Sequence, residues 1–388
     1  MGRAIILSLA GDCPVRPERT VLNLSLMAGL LRIGLVGCGE VCEHKHLPAL
    51  GRVRGARVVA LADTDPFRLA KVGDRYGVTQ RFAGIDAMLD ARVVDLVGVL
   101  TPPGQHVGGV VAALRAGCDV LVEKPLALTT TDVDTMLGAA ATAQRRVLMG
   151  FHMRWHRLIR QAHDAIRQDA IGRPESIRTT WNSPRPDAGI PAWKCERTTG
   201  GGAIVELGVH LFDLWRYLLS TEVVSVSATS RHGRRHDENS AITAVLANGA
   251  VASAHLSERT SHEIELEICG DRGRLRVACQ RFDGFEWFGI GETRGMMGPR
   301  RRGLMRTARE LPRGLATMRS LGDYGDSYRG QWQHLVDAVT HGATPECTLE
   351  DGRAALRVVH AATAAAEQGA FVRVEQAPSI VTALRVHT

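Results

Sequence analysis

Between residues 31 and 150, short apolar runs alternate with stretches whose apolar positions recur every three or four residues, the pattern of strands alternating with helices. Leu31–Val36 and Ala56–Ala62 read as buried strands, and 93–100, Asp119–Val122 and 146–149 continue the series. Helical spacing fills the gaps at 40–50, Pro66–Tyr76, 85–89, 106–116 and 129–143. Pro66 suits a first helical turn, Gly117 a helix stop and Thr129 a cap. Such alternation predicts a doubly wound parallel sheet with right-handed crossovers. After Gly150 the period changes. A helix at 160–168 and a turn at 171–174 lead into strands at 175–180, 222–230, 241–246, 251–256, 263–269 and Gly273–Ala278, with Asn248-Gly249 as a hairpin turn. That run predicts an α+β domain with a mostly antiparallel sheet, interrupted by one long helix at 203–219.

The first strand runs straight into Gly37-Cys38-Gly39 and a helix. A strand that turns tightly into a helix leaves the first backbone N–H groups free, and with the helix dipole they form a site for a pyrophosphate. Gly37 permits the turn, Gly39 allows close backbone approach, and Cys42 stands at the third small position of the fingerprint. Glu40 and Val41 open the helix. Asp63, followed by Thr64, ends the second strand, where a carboxylate can accept from adenosine ribose hydroxyls and would repel a 2′-phosphate. NAD is therefore expected over NADP. Glu206 and His210 lie four residues apart on the predicted helix, where a carboxylate bonded to one ring nitrogen would fix the tautomer and leave the other nitrogen for proton removal from an alcohol. A helix-stabilising pair is the plainer reading of the same spacing. Lys124 follows a parallel strand at its carboxyl end, the edge where ligands bind in such sheets.

Read together, Gly37-x-Gly39, Asp63, Thr101-Pro102-Pro103-x-x-His106, Ala116-Gly117-x-x-Val120-Leu121-x-Glu123-Lys124-Pro125 and Gly200-Gly201-Gly202-x-x-x-Glu206-x-Gly208-x-His210-x-x-Asp213 resemble the Gfo/Idh/MocA oxidoreductases. The resemblance covers about residues 31–220, and 335–374 resembles that family's closing helices and strand. It implies an N-terminal Rossmann domain at 31–150 and a C-terminal domain at 151–388 whose open sheet forms an oligomer contact, in a homodimer or homotetramer. It also implies that Lys124 meets both the nicotinamide ribose and the substrate hydroxyl, with Thr101, Pro102, His106 and Glu123 around the cofactor. Arg154 matches a position near the substrate pocket, and Trp193 and Lys194 either cover a sugar or form a surface loop. The chain departs from the family at Glu206, where Asp is usual, and at His152, where Asn is common. Asp213 reads as structural, and His44 and His46 as solvated helix positions.

Composition adds bounds. Apolar content of 45% and charged content of 23% are those of an ordinary globular protein, and no apolar run approaches the ~20 residues of a membrane span. The eight cysteines show no zinc spacing, so no metal is expected; reduced thiols point to the cytoplasm. Residues 1–30 fit no element of the fold and read as a flexible extension, with Met27 an alternative start. The net charge of +7 is concentrated in an insertion at 291–319, which holds eight arginines against Glu292 and Glu310. Leu304, Ala308, Leu311, Leu315 and Met318 recur there at helical spacing, and Pro312 is expected to divide the segment into two helices. An arm gripping another subunit is favoured over a substrate lid or an acidic or lipid partner. No nucleic-acid-binding motif accompanies the charge.

The leading expectation is an NAD-dependent oxidoreductase acting on a secondary alcohol, or the matching ketone, of a sugar, amino sugar or cyclitol. The substrate could be free or linked to phosphate or nucleotide. An NAD-dependent glycosidase of the same fold and a non-catalytic NAD-binding regulator are the alternatives.

Overall fold

The computed structural model describes residues 29–186, 189–317 and 322–375. The 1–28 stretch, Met318 and Arg319 lie outside the described residues. Six parallel strands form the first sheet: β1 (Leu31–Val36), β2 (Ala56–Ala62), β3 (Gln80–Phe82), β4 (Leu96–Val99), β5 (Asp119–Val122) and β6 (Val147–Met149). Their spatial order is β3-β2-β1-β4-β5-β6. Ile33, Leu35, Leu96, Val97, Val120 and Leu121 are fully buried, as helices on both faces require. Connecting them are α1 (Leu47–Leu50), α2 (Pro66–Tyr76), α3 (Ile85–Asp90), α4 (His106–Arg115) and α5 (Thr130–Ala143). The Asp65 carboxylate caps α2 and the Thr129 hydroxyl caps α5. Strand order reverses between β1 and β4, so a crevice opens at the carboxyl ends of those two strands.

The second sheet has order β13-β12-β11-β7-β10-β9-β8-β14. Its strands are β7 (Pro174–Asn182), β8 (Val223–Arg231), β9 (Asn239–Leu246), β10 (Val251–Ser257), β11 (Glu263–Gly270), β12 (Gly273–Ala278), β13 (Phe285–Gly289) and β14 (Val372–Arg373). Only β7 and β10 pair in parallel; every other neighbour is antiparallel. In β9, Ile242, Ala244 and Leu246 are buried while Ala241, Thr243 and Val245 are exposed, so one face meets the core and the other is open. Four helices accompany this sheet, α6 (Arg157–Arg167), α7 (Val209–Leu219), α8 (Met297–Thr317) and α10 (Leu349–Gln368), whereas α9 (Gly322–His341) packs on the first sheet and α1, with Trp332 against Gly98 of β4.

Two helices open differently from the simple 3.6-residue period. A π-type turn at Cys42–His46 precedes α1, and another at Ile204–Gly208 precedes α7. At the first, Pro48 lacks the N–H that an unbroken α-helix would send to the His44 carbonyl, so a wider turn costs little there.

The arginine-rich insertion is one helix, α8, and Pro312 does not divide it. Pro312 and Ala308 are both exposed, so water can serve the carbonyl that proline leaves free. The apolar stripe points outward: Met297, Leu304 and Leu315 are 78%, 74% and 58% exposed. The inner side is polar. Arg306 donates to the Asp283 carbonyl (2.8 Å), Thr307 to the Asp283 carboxylate (2.5 Å), and Glu310 pairs with Arg157 (3.3 Å). Gly314 lies against Phe282, whose ring would meet an added Cβ at 2.9 Å.

His106, His152, His156 and His210 are almost wholly buried, and burial pushes each below the usual imidazole range, His156 to about 4. An unfolded imidazole binds its proton near 6.5, so between there and about 4 the unfolded chain holds more protons than the folded one. Stability should therefore fall as pH drops through that window, by up to about 1.4 kcal/mol per pH unit for His156, with the other three acting in the same direction. Thermal unfolding followed from pH 7 to pH 5 should show a steadily falling midpoint; a flat profile would contradict neutral burial.

Candidate active site

At the end of β1, Gly37 adopts φ 92°, and a Cβ there would lie 2.8 Å from the Leu100 carbonyl oxygen. Glycine alone fits. Gly39 has nothing within 4 Å of an added Cβ, so that side of the turn is open to a ligand. Glu40 is exposed, Val41 half-buried, and Cys42 is fully buried behind them. A hydrogen bond to Cys38, helped by burial, raises the Cys42 thiol well above its usual value, so it serves as a small packed side chain. Asp63 closes β2. Its Oδ2 accepts the Cys38 N–H (2.7 Å) and its Oδ1 the Asp65 N–H (2.8 Å), bracing the turn, with Arg68 3.4 Å away and Thr64 exposed beside it.

Beyond β4, the Thr101 hydroxyl is buried without a hydrogen-bond partner in the protein. Pro102 follows it. His106 ties this loop to the next, with Nε2 2.7 Å from the Thr101 carbonyl and Nδ1 3.1 Å from that of Leu126. Open backbone at Gly39, an acid at the neighbouring strand tip and an orphaned hydroxyl opposite fit a dinucleotide: pyrophosphate at 37–39, ribose at Asp63.

Lys124 follows β5 and is joined to Pro125 by a cis peptide. Its ammonium donates to the Glu206 carbonyl oxygen at 3.1 Å. Burial pulls the Lys124 pKa below the usual lysine range, with the Glu206 and Glu123 carboxylates acting against it. A buried chain positions this segment. Trp332 Nε1–H donates to His46 Nδ1 (2.9 Å), which leaves the His46 proton on Nε2 to be donated to Glu123 Oε1 (2.9 Å). Glu123 Oε2 then accepts the Lys124 backbone N–H at 3.0 Å. Burial alone would raise the Glu123 carboxyl; the His46 hydrogen bond and nearby charges hold it lower. His46 is thus completely buried and not the solvated helix position its spacing suggested, because the π-type turn swings it inward.

Glu206 and His210 share the site without bonding each other. The Glu206 carboxylate pairs with Arg185 through Oε2 and lies 3.6 Å from Lys194 through Oε1. Burial would raise it, but Lys124, Arg185 and Lys194 keep it below the usual range. The expected carboxylate–imidazole pair is absent because the Glu206 carboxylate is taken up by two cations instead. His210 is stacked on Trp181 (5.0 Å between rings, 13°) and touches Phe151 edge-on. Burial and then the Lys124 charge depress its pKa well below 6.5, so the ring is neutral. Its Nδ1 is buried without a partner.

The remaining candidates divide. Lys194 lies over the Trp193 ring (5.3 Å) on a half-buried turn beside Glu206, where Gly201 packs so closely that a Cβ would strike the Lys194 backbone. Arg154 is drawn elsewhere: its guanidinium binds both Asp213 oxygens (2.9 and 2.5 Å) and lies 3.0 Å from Asp351. Asp213 is thereby structural, and Arg154 braces α7 against α10. Sequence reasoning missed Arg185, Trp181, Tyr324 and Tyr328. The first two lie at or just beyond the end of β7, whose length was under-read. The tyrosines stand four apart on one face of α9, a helix far along the chain, and pack against His152.

This sheet order, with its dinucleotide turn and half-buried lysine, defines an NAD-binding oxidoreductase of the doubly wound class. Residues 31–151 match the oxidoreductase family model described as an NAD-binding Rossmann fold, and 159–276 match the GFO/IDH/MocA C-terminal domain. The chain belongs to the Gfo/Idh/MocA oxidoreductase family. It is 26% identical over 356 residues to myo-inositol 2-dehydrogenase of Thermotoga maritima, covering 89% of this chain and 99% of that protein. It is 27% identical to inositol 2-dehydrogenase of Rhizobium meliloti, covering 86% of this chain and 96% of the other. Among solved structures it resembles levoglucosan dehydrogenase in complex with NADH, with a TM-score of 0.76, 21% identity and coverage of 89% and 100%. The WlbA dehydrogenase of Bordetella pertussis, solved with NADH and UDP-GlcNAcA, gives a TM-score of 0.74 at 22% identity, covering 90% and 99%. The cofactor is NAD. Among the described residues no helix is long and apolar enough to cross a membrane.

Because a Cβ at Gly39 would meet no protein atom, Gly39→Val should leave the melting temperature nearly unchanged while weakening NADH binding at least about tenfold. Fluorescence titration with NADH checks this; unchanged affinity would place the dinucleotide elsewhere.

Proposed function

We propose that the protein transfers hydride between NAD(H) and a secondary alcohol or ketone on a sugar, amino sugar or cyclitol ring. The observation that carries this reading is the Lys124 ammonium, half-buried at the carboxyl end of β5 and bonded to the Glu206 carbonyl, whose charge acts on a neutral buried imidazole, His210, in the fold whose β1 ends in a turn open to a dinucleotide. The dinucleotide would be held by Gly37, Gly39, Glu40, Val41, Asp63, Thr64, Thr101, Pro102, His106 and Glu123, and when bound it supplies the hydride acceptor. Lys124 stabilises alkoxide character on the substrate oxygen as the C–H bond breaks. His210, neutral at physiological pH, takes the hydroxyl proton in the oxidative direction and returns it in the reductive one. Glu206 keeps Lys124 charged and anchors Arg185 and Lys194 at the pocket wall. Trp193 offers an apolar surface of the kind that packs on sugar rings. The names of the inositol dehydrogenases, and of 1,5-anhydro-D-fructose reductase of Ensifer adhaerens at 30% identity over 63% of this chain, support a polyol ring as substrate. They favour a dehydrogenase over the glycosidase and the regulator.

The same reading divides the chain at about residue 150 into a cofactor domain and a substrate domain. It assigns a homo-oligomer, for which the outward apolar stripe of α8 and the open face of the second sheet offer contacts. It places the enzyme in the cytoplasm, in keeping with free thiols at every cysteine among the described residues.

The test is an NADH-absorbance screen of sugars, amino sugars and cyclitols with NAD and with NADP. One class should reduce NAD, and Lys124→Ala and His210→Ala should each lower kcat at least about 10²-fold while NADH still binds. Sugar release with no net absorbance change would favour the glycosidase, and undiminished turnover in both variants would sink the assignment.

A further inference from the structure

His152 lies directly after the first sheet and is 1% exposed. Its Nδ1 is 2.7 Å from the Ser327 hydroxyl oxygen, and that hydroxyl donates its single proton to the Tyr324 carbonyl at 2.6 Å. A carbonyl only accepts, so the serine proton is committed and Ser327 Oγ must accept from His152 Nδ1–H. The other nitrogen, Nε2, then carries a bare lone pair, and it is buried without a partner. The ring is clamped: it stacks on Tyr328 (4.1 Å, 15°) and meets Tyr324 edge-on (5.0 Å, 73°). Its remaining neighbour is His210, edge-on at 5.2 Å and 78°. On that ring Nδ1 is likewise buried and unpartnered. Two orphaned nitrogens on adjoining, perpendicular rings are costly to bury unless they satisfy each other, at about 1–3 kcal/mol apiece.

We infer that His152 is a positioning residue for His210: its Nε2 accepts the His210 Nδ1–H in the working enzyme, fixing that tautomer and turning His210 Nε2 toward the substrate. The relay Tyr324 carbonyl–Ser327–His152–His210 takes the place of the carboxylate that Glu206 does not supply. It accounts together for two departures from the family pattern, Glu at 206 and His at 152. The relay is neutral throughout. Burial holds the His152 ring unprotonated and the Lys124 charge works the same way; the other titratable groups that act on it, His210, His156 and His46, could become only cations, so none favours the charged ring. A neutral acceptor orients the imidazole without raising its basicity as an adjacent carboxylate would. The inference rests on the reading of His210 as the proton-transferring group.

The experiment is long-range ¹H–¹⁵N correlation of the imidazoles in the full chain with NAD bound, between pH 6 and 8, assigned with His152→Asn and His210→Gln. Both rings should appear as neutral Nδ1–H tautomers. An Nε2–H tautomer or a protonated ring at either position overturns the relay. Kinetics supply the second arm, using the alcohol found in the NADH screen. Ser327→Ala, which frees His152 to flip its tautomer, should lower kcat by roughly tenfold or more with KM nearly unchanged, and His152→Asn, whose carbonyl can accept, should retain more activity than His152→Phe. Equal losses in Asn and Phe variants, or a loss confined to KM, would show a merely structural role. If no alcohol is turned over, the oxidoreductase reading fails, and the tautomer spectrum still decides the relay.

Discussion

Keeping the half-buried Lys124 charged is the constraint around which the site is arranged. An ammonium moved into a low-dielectric pocket tends to shed its proton, and burial does lower the Lys124 pKa. The protein answers with a backbone carbonyl at 3.1 Å and with two carboxylates, Glu206 and Glu123, which are themselves buried. Each carboxylate needs its own support, Glu206 from Arg185 and Lys194, Glu123 from His46 and Trp332. One cation thus organises a polar network that reaches from the first sheet to β7 and α9.

The two π-type turns gain their meaning from that network. One brings His46 inward to Glu123, and the other points the Glu206 carbonyl at Lys124 while turning its carboxylate to Arg185. An unbroken α-helix would place Glu206 and His210 on one face. The Glu206 carboxylate forgoes that contact for Arg185 and Lys194, and His210 is left among rings: Trp181, Phe151 and His152. In that apolar setting it stays neutral.

Much of this was legible in the chain itself. Strand–helix alternation and the glycine turn report directly on local backbone geometry, so the parallel sheet, the dinucleotide turn and Asp63 could be read from spacing. Lys124 could be placed because a strand's carboxyl end has a known outlook in such sheets. What spacing could not reveal was any feature set by long-range packing. The partner of Arg154 lies 59 residues away in Asp213, and His46 meets Trp332 across 286 residues. The helical period also misleads at Glu206, whose partners, Arg185 and Lys194, lie outside its helix. In α8 the stripe was read correctly as a helix face, but which side it presents depends on Asp283 and Arg157, outside the segment.

The most direct measurement is the pH at which Lys124 loses its proton, taken from the alkaline limb of kcat/KM for the wild type and for Lys124→Arg, whose guanidinium stays charged. The account predicts a wild-type limb below the usual lysine range that moves upward or vanishes in the arginine variant. A limb at the ordinary lysine value, or one that the substitution leaves in place, would contradict a partly desolvated ammonium at the reacting oxygen.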